Sequence, residues 1–162
     1  MLTIEQGADK IVSMCMGVSS GEKVIIVTDI MRPISLSQAL YKSCKRKGAD
    51  AISIIFDGNL VNGQVDSSIA KAIESADVLL CLTTSTIAYT KAVDVCRKNG
   101  CRVAAITDAT EDTFKEGSIE ADYLQMAVVI EEVRKLFDAA DEVCVTSPGG
   151  TELRLSINNR RS

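Results

Sequence analysis

Lys23-Val24-Ile25-Ile26-Val27-Thr28-Asp29 decides the fold, because its middle four residues are all branched aliphatics. A strand with one wet face alternates apolar and polar side chains, whereas a strand covered by helices on both faces stays apolar throughout. The run reads as an interior strand of a parallel sheet. Working outward, residues 51–56, 78–82, 102–107 and 142–147 carry comparable runs. The first four runs begin at 23, 51, 78 and 102, spacings of 28, 27 and 24 residues. Strand–helix–strand units repeat at about this distance, roughly 30 residues.

Helical periodicity fills the gaps. After Pro33, Leu36, Ala39, Leu40, Ser43 and Cys44 share one face at a period of about 3.6. Asp66 or Ser67 opens a helix bearing Ile69, Ile73 and Ala76; another uses Ala88, Ala92, Val95 and Cys96 and stops at Asn99-Gly100. Thr3-Ile4-Glu5-Gln6 is a capping-box pattern that starts a helix with Ile4, Ala8, Ile11 and Cys15 inward. The longest helix covers about residues 120–139, with Tyr123, Ala127, Ile130, Val133 and Phe137 facing the core. Ser147-Pro148-Gly149-Gly150-Thr151 is a turn, and residues 152–157 alternate through Leu153, Leu155 and Ile157 as an antiparallel edge strand. The sequence predicts an α/β fold: a three-layer, doubly wound, mostly parallel sheet of about five parallel strands with a C-terminal antiparallel edge hairpin. Residues 1–157 read as a single domain and 158–162 as a polar tail.

Composition narrows the chemistry. The 162-residue chain has 18 basic and 22 acidic residues, a net charge of −4 that disfavours nucleic acid or an anionic membrane as partner. No apolar run reaches the length of a membrane span, and the chain opens on a polar stretch unlike a secretory signal. There is no His, so a His-based triad, a His general base and His-containing metal sites are excluded. Six Cys without a C-x-x-C pair read as reduced thiols, several inside apolar stretches, in a cytoplasmic protein.

Parallel sheets bind ligands beyond the carboxyl ends of their strands. Asp29 and Arg32 follow the first run, Asp57, Gly58 and Asn59 the second, Thr83, Thr84, Ser85 and Thr86 the third, Thr107, Asp108 and Thr110 the fourth. The hydroxyl run at 83–86 either caps the next helix or holds an anion at its start. Asp29, Asp57 and Asp108 serve either as three ligands for a hard metal ion or as loop residues. The substrate-binding candidates are Thr83, Thr84, Ser85, Thr86, Asp29 and Asp108; no residue stands out as catalytic or as a metal ligand. No G-x-G-x-x-G or P-loop pattern follows a strand.

Several segments then carry a family likeness: residues 21–29, Ala76-Asp77-Val78, Thr83-Thr84-Ser85-Thr86, Asp112-Thr113-Phe114, Ala121-Asp122-Tyr123 and Val145-Thr146-Ser147-Pro148-Gly149-Gly150-Thr151-Glu152-Leu153. In this order they resemble the amino-terminal domain of the aminopeptidase T family, metal-dependent exopeptidases to which iron-dependent dihydroxypyridine dioxygenases are distantly related. The resemblance implies a substrate-side or structural domain of a metalloaminopeptidase, inactive alone, that walls a cleft for a peptide amino terminus. It implies no cofactor in this chain; a divalent metal such as zinc or cobalt would sit in a carboxyl-terminal domain lying beyond it, of which the chain looks like an excised partner. Alternatives are a sugar-isomerase-like module that binds phosphosugars at Thr83–Thr86, and a free-standing interaction domain forming a homodimer through its edge hairpin.

Overall fold

A computed structural model describes residues 1–160, so the last two residues of the expected polar tail lie outside the described residues. The chain groups into two units, Met1–Glu120 and Ala121–Ser162, where the sequence reading takes residues 1–157 together.

In the first unit β1 (Lys23–Asp29) lies between β2 (Asp50–Phe56) and β3 (Val78–Leu82), and β4 (Arg102–Ala105) lies beyond β3. All pairs are parallel, and Val24 stands beside Ala51 on one side and Val78 on the other. Central placement explains the apolar run: Val24, Ile25, Ile26 and Val27 are buried on both faces of the sheet. β2 is an edge, so its Ile52 and Ile55 stay about half exposed. Alternate β1 residues feed two cores. Val24 and Ile26 pack with Leu36 and Leu40 of α2 (Ile34–Arg46), with Ala8 of α1 (Ile4–Lys10) and with Phe114 of α5 (Glu111–Lys115). Ile25 and Val27 pack with Ile69 and Ile73 of α3 (Ser67–Glu74) and with Ala92, Val93 and Cys96 of α4 (Lys91–Lys98). The predicted layered α/β architecture with a parallel sheet is what forms.

The Thr3 capping box is made as expected: the Thr3 amide donates to Gln6 Oε1 at 2.8 Å and the Gln6 amide to Thr3 Oγ1 at 3.2 Å. Beyond Lys10 the helix widens into a π-helical turn over Ile11–Cys15. Gly7 is required for the α1–α5 contact, since a Cβ there would stand 2.0 Å from the Phe114 carbonyl oxygen.

At the opposite end of the sheet, Arg102 ties three segments together. Its Nη2 donates to both Glu22 carboxylate oxygens at 2.8 and 2.9 Å, and its Nε donates to the Met16 carbonyl at 2.9 Å. The Arg102 hydrogen bond, joined by one from the Ser19 amide, holds the Glu22 carboxyl below its ordinary range. Its folded pKa lies under the unfolded one, so this stabilisation is present above the unfolded value and lost as pH falls through the folded value. Glu22→Gln is therefore expected to melt below the wild-type chain at about pH 7, with the gap closing toward about pH 3. Paired melting curves across that range check it, and a constant gap would contradict it.

The second unit holds α6 (Tyr123–Asp138), β5 (Glu142–Thr146) and β6 (Glu152–Ser156). Asp122 caps α6, its carboxylate accepting from the Leu124 and Gln125 amides at 3.1 Å each. β5 and β6 form the expected antiparallel hairpin, with Glu142 opposite Ser156 and Val145 opposite Leu153.

Several expectations need correction. The main sheet has four strands, because the fifth run pairs with β6 in its own ladder. The apolar spacing predicts Tyr123, Ala127, Ile130, Val133 and Phe137 facing the core, yet no residue of α6 is buried; a unit of this size has little apolar surface of its own with which to cover a helix. α4 starts at Lys91, three residues beyond Ala88, and the turns at Glu111–Lys115 and Gly117–Glu120 have no counterpart in the sequence reading. The six-thiol expectation also fails. Cys96 and Cys101 form a disulfide, because the chain reverses after α4 and brings their Cα atoms to 5.2 Å.

Candidate functional site

The chain leaves β1 to build β2 on one side and then crosses to place β3 on the other, so the sheet changes winding direction between β1 and β3. Crevices open beyond the strand ends at such points. Here that position is occupied by Asp29, the last residue of β1, only 1% exposed. Its Oδ2 accepts from the Thr84 amide at 2.5 Å; Oδ1 accepts from the Thr84 hydroxyl at 3.0 Å and from the Met31 amide at 2.9 Å. Three donors on one carboxylate make charge-assisted bonds, stronger than neutral ones. Asp29 thereby fastens the loop after β3 to the loop after β1. Gly58 permits this, since it has φ +84° and a Cβ there would come within 3.3 Å of the Asp29 Cβ.

The hydroxyl run divides. Thr83 is buried, while Thr84, Ser85 and Thr86 are exposed. None of them opens a helix, because α4 begins at Lys91 with Thr90 at its cap position. Thr90 instead donates its hydroxyl to the Ile87 carbonyl at 2.8 Å, and Thr86 Oγ1 accepts from the Ala88 amide at 3.3 Å. Both readings of 83–86 assumed a helix start and need correction on that point: the run is an irregular loop pinned by Asp29.

Asp108 follows β4 in a left-handed conformation, φ 56°, and its amide donates to the Thr83 carbonyl at 3.2 Å. Its carboxylate is mostly exposed and pairs with Arg32 Nη1 at 3.3 Å. Arg32 Nη1 also donates to the Ala109 carbonyl at 3.4 Å, which links the β1 and β4 loops. The three carboxylates do not converge. Asp57 is exposed and engages its own neighbour, accepting from the Asn59 amide at 3.0 Å and from Asn59 Nδ2 at 2.9 Å; these bonds hold its carboxyl below the ordinary range. Among the described residues no group of three or more His, Cys, Asp or Glu could hold a metal ion. Sequence reasoning placed Arg32 in the right loop but gave it no role; a lone Arg before Pro33 carries no motif. The assembled rim consists of exposed Thr84, Ser85, Thr86 and Asp108, supported from below by Asp29, Thr83 and Arg32.

The family model NicX: 2,5-dihydroxypyridine 5,6-dioxygenase matches residues 6–162. In structure, the chain is similar to 2,5-dihydroxypyridine dioxygenase from Pseudomonas putida KT2440, with a TM-score of 0.69 at 12% identity, covering 94% of this chain and 46% of that one. It thus spans about half the length of that relative. It is also similar to AmpT from Thermus thermophilus, with a TM-score of 0.52 at 13% identity, covering 92% of this chain and 57% of that one. No curated protein matches in sequence. At such identities the solved structures show the fold alone.

These findings overturn the aminopeptidase T reading and, with it, the hydrolase assignment and the peptide substrate. The phosphosugar and interaction-domain alternatives gain no support either. The segments that suggested aminopeptidase T, such as residues 21–29 and the turn before β6, are strand and turn signatures of the architecture itself, so they could not separate two families built on it. A family model over nearly the entire chain does separate them, and the chain belongs to the NicX family, described as 2,5-dihydroxypyridine 5,6-dioxygenase.

Proposed function

We propose that the chain supplies one wall of the substrate cleft in a ring-opening dioxygenase acting on a hydroxylated pyridine. The observation carrying this reading is the family match over residues 6–162. The rim at the carboxyl ends of β1 and β3 supports it chemically. Thr84, Ser85, Thr86 and Asp108 offer exposed hydroxyls and a carboxylate, the donors and acceptors that a hydroxylated nitrogen heterocycle requires. Buried Asp29 and Thr83 are positioning residues for that loop. The chain's own residues do not fit a metal ion: there is no His, and no ligand cluster occurs among the described residues. A divalent ion, where the reaction uses one, belongs in this reading to the part of the enzyme that the chain does not span.

Cytoplasmic residence is the second part of the proposal. No helix among the described residues is long and apolar enough to cross a membrane. Burial pushes the Cys44 and Cys81 thiols up to about 11 and about 12, so both stay protonated within the core.

The test uses protein from the complete reading frame that contains these residues, supplied with divalent metal, dioxygen and 2,5-dihydroxypyridine. Loss of the ring absorbance with matching dioxygen uptake is expected. Ser85→Ala with Thr86→Val should raise KM several-fold at nearly constant kcat, the signature of lost binding. Absence of dioxygen uptake with this ring class would overturn the reading.

A further inference from the structure

Among the described residues no strand pairs with the outer side of β2, whose seven residues run in unbroken register beside β1. The Asp50 amide donates to the Glu22 carbonyl at 2.8 Å, and the Phe56 carbonyl accepts from the Ile30 amide at 2.9 Å. The even-numbered residues thus turn their backbone groups toward β1. These groups alternate sides along a strand, which leaves N–H and C=O of Ala51, Ser53 and Ile55 pointing outward. Exposed edges are ordinarily blunted by shortness, charge, proline or a bulge. β4, at the other edge of the sheet, has four residues and begins with Arg102; the hairpin strands carry Glu142, Glu152 and Arg154. From Ala51 to Phe56, by contrast, β2 has no charge, proline or bulge, and Ile52 and Ile55 are 55% and 49% exposed on opposite faces. Beside this edge runs an open groove of about 600 Å³ lined by Ile34, Gln38, Tyr41, Lys42, Ser53 and Ile55, in which the single charge, on Lys42, is exposed.

We infer that β2 pairs antiparallel with β2 of a second copy of this chain, about a two-fold axis at Ser53. The edge is complementary to itself in this register. Ser53 faces its own counterpart and Ala51 faces the partner's Ile55, so every outward N–H and C=O of both strands is used, in about six hydrogen bonds. A standard interface carries about 10, within about five either way. On the face away from α2, Ile52 falls opposite the partner's Ile54, a β-branched cross-strand pair. On the other face α2 packs over both β1 and β2. At the usual strand spacing the two copies therefore bring their α2 helices roughly 10 Å apart, a helix-packing distance. Ile34 and Tyr41, 53% and 38% exposed, then fill the groove from both sides. The inference goes beyond the family reading and does not rest on it.

The test is sedimentation of the full chain, joined to amide hydrogen exchange in dilute and concentrated solution. The mass should rise from 17.4 kDa toward twice that value, with Kd on the order of 10 μM. Exchange at the Ala51, Ser53 and Ile55 amides should slow by at least about tenfold on concentration, while Ile52, Ile54 and Phe56 are protected throughout. Ser53→Pro removes a donor that serves no bond within the chain, a change an edge strand tolerates. It should weaken association by about thirtyfold or more and leave the melting temperature in dilute solution close to that of the wild type. Ile55→Lys places a charge on the edge and should weaken association as strongly; it decides the matter if Ser53→Pro fails to fold. A chain still monomeric at about 500 μM overturns the inference. So does a dimer in which the Ala51, Ser53 and Ile55 amides exchange as fast as in dilute solution, which places the contact on another surface, or wild-type affinity in whichever variant folds.

Discussion

Gly7→Ala should lower the melting temperature by roughly 4–8 °C, although the same change in an exposed helix usually stabilises. Alanine in place of an interior helical glycine gains about 0.5–1 kcal/mol of propensity. Against this stands the geometry: the new Cβ would lie 2.0 Å from the Phe114 carbonyl oxygen and 2.8 Å from its carbonyl carbon. These are backbone atoms, so no rotamer change relieves the overlap, and α1 must back away from α5. Overpacking of a tight contact costs about 1–3 kcal/mol and sometimes more; with separations this short, the upper end applies. The net loss of about 2 kcal/mol gives the stated shift for a chain of this size. Because the obstacle is main chain, adding Phe114→Ala should not rescue the variant, as it would if the phenyl ring were in the way. A melting temperature at or above wild type, or rescue by Phe114→Ala, would sink this account.

Asp29→Ala is the second large effect, and it should be both global and local. Removing the carboxylate strands the Thr84 amide, the Thr84 hydroxyl and the Met31 amide, which all donate to it. Each buried unmet donor costs about 1–3 kcal/mol, less whatever water recovers, so a loss of about 3 kcal/mol is expected. Asp29→Asn should fare little better, since its NH2 would face donors where the wild type presents only acceptors. Hydrogen exchange at the Thr84 amide should speed up by at least about thirtyfold in Asp29→Ala, corresponding to about 2 kcal/mol of local protection. Amides of β1 should accelerate only as far as the global loss dictates. If Thr84 exchanges no faster than those β1 amides, Asp29 is an ordinary buried residue and not a loop fastener.

The parts legible in the sequence were those governed by local or periodic signals. The 24–27 run announced a doubly covered strand, and the spacing of the runs announced parallel crossovers. Thr3 and Gln6 are three residues apart and form their box without help from the rest of the chain. The Asp29–Thr84 clamp joins residues 55 apart in sequence, and no pattern in either segment encodes the partner. The start of α4 was misplaced because Ala88 fits its apolar spacing, although Ile87 and Ala88 are buried in the loop ahead of the helix. α5 was missed because its five residues are too few to show a period, although Phe114 within it is among the largest fully buried side chains. Family identity was obscured for a different reason. Strand and turn segments report architecture, and two families sharing an architecture share them.

The inner position of β1 also orders the chain's synthesis. The ribosome delivers Lys23–Asp29 first, yet both its hydrogen-bonding neighbours, Asp50–Phe56 and Val78–Leu82, emerge later. A nascent chain therefore carries its stickiest segment with no mate on either flank, then with one, until translation passes Leu82. The burden of keeping that ribbon from pairing with strangers falls on the interval before the third strand arrives.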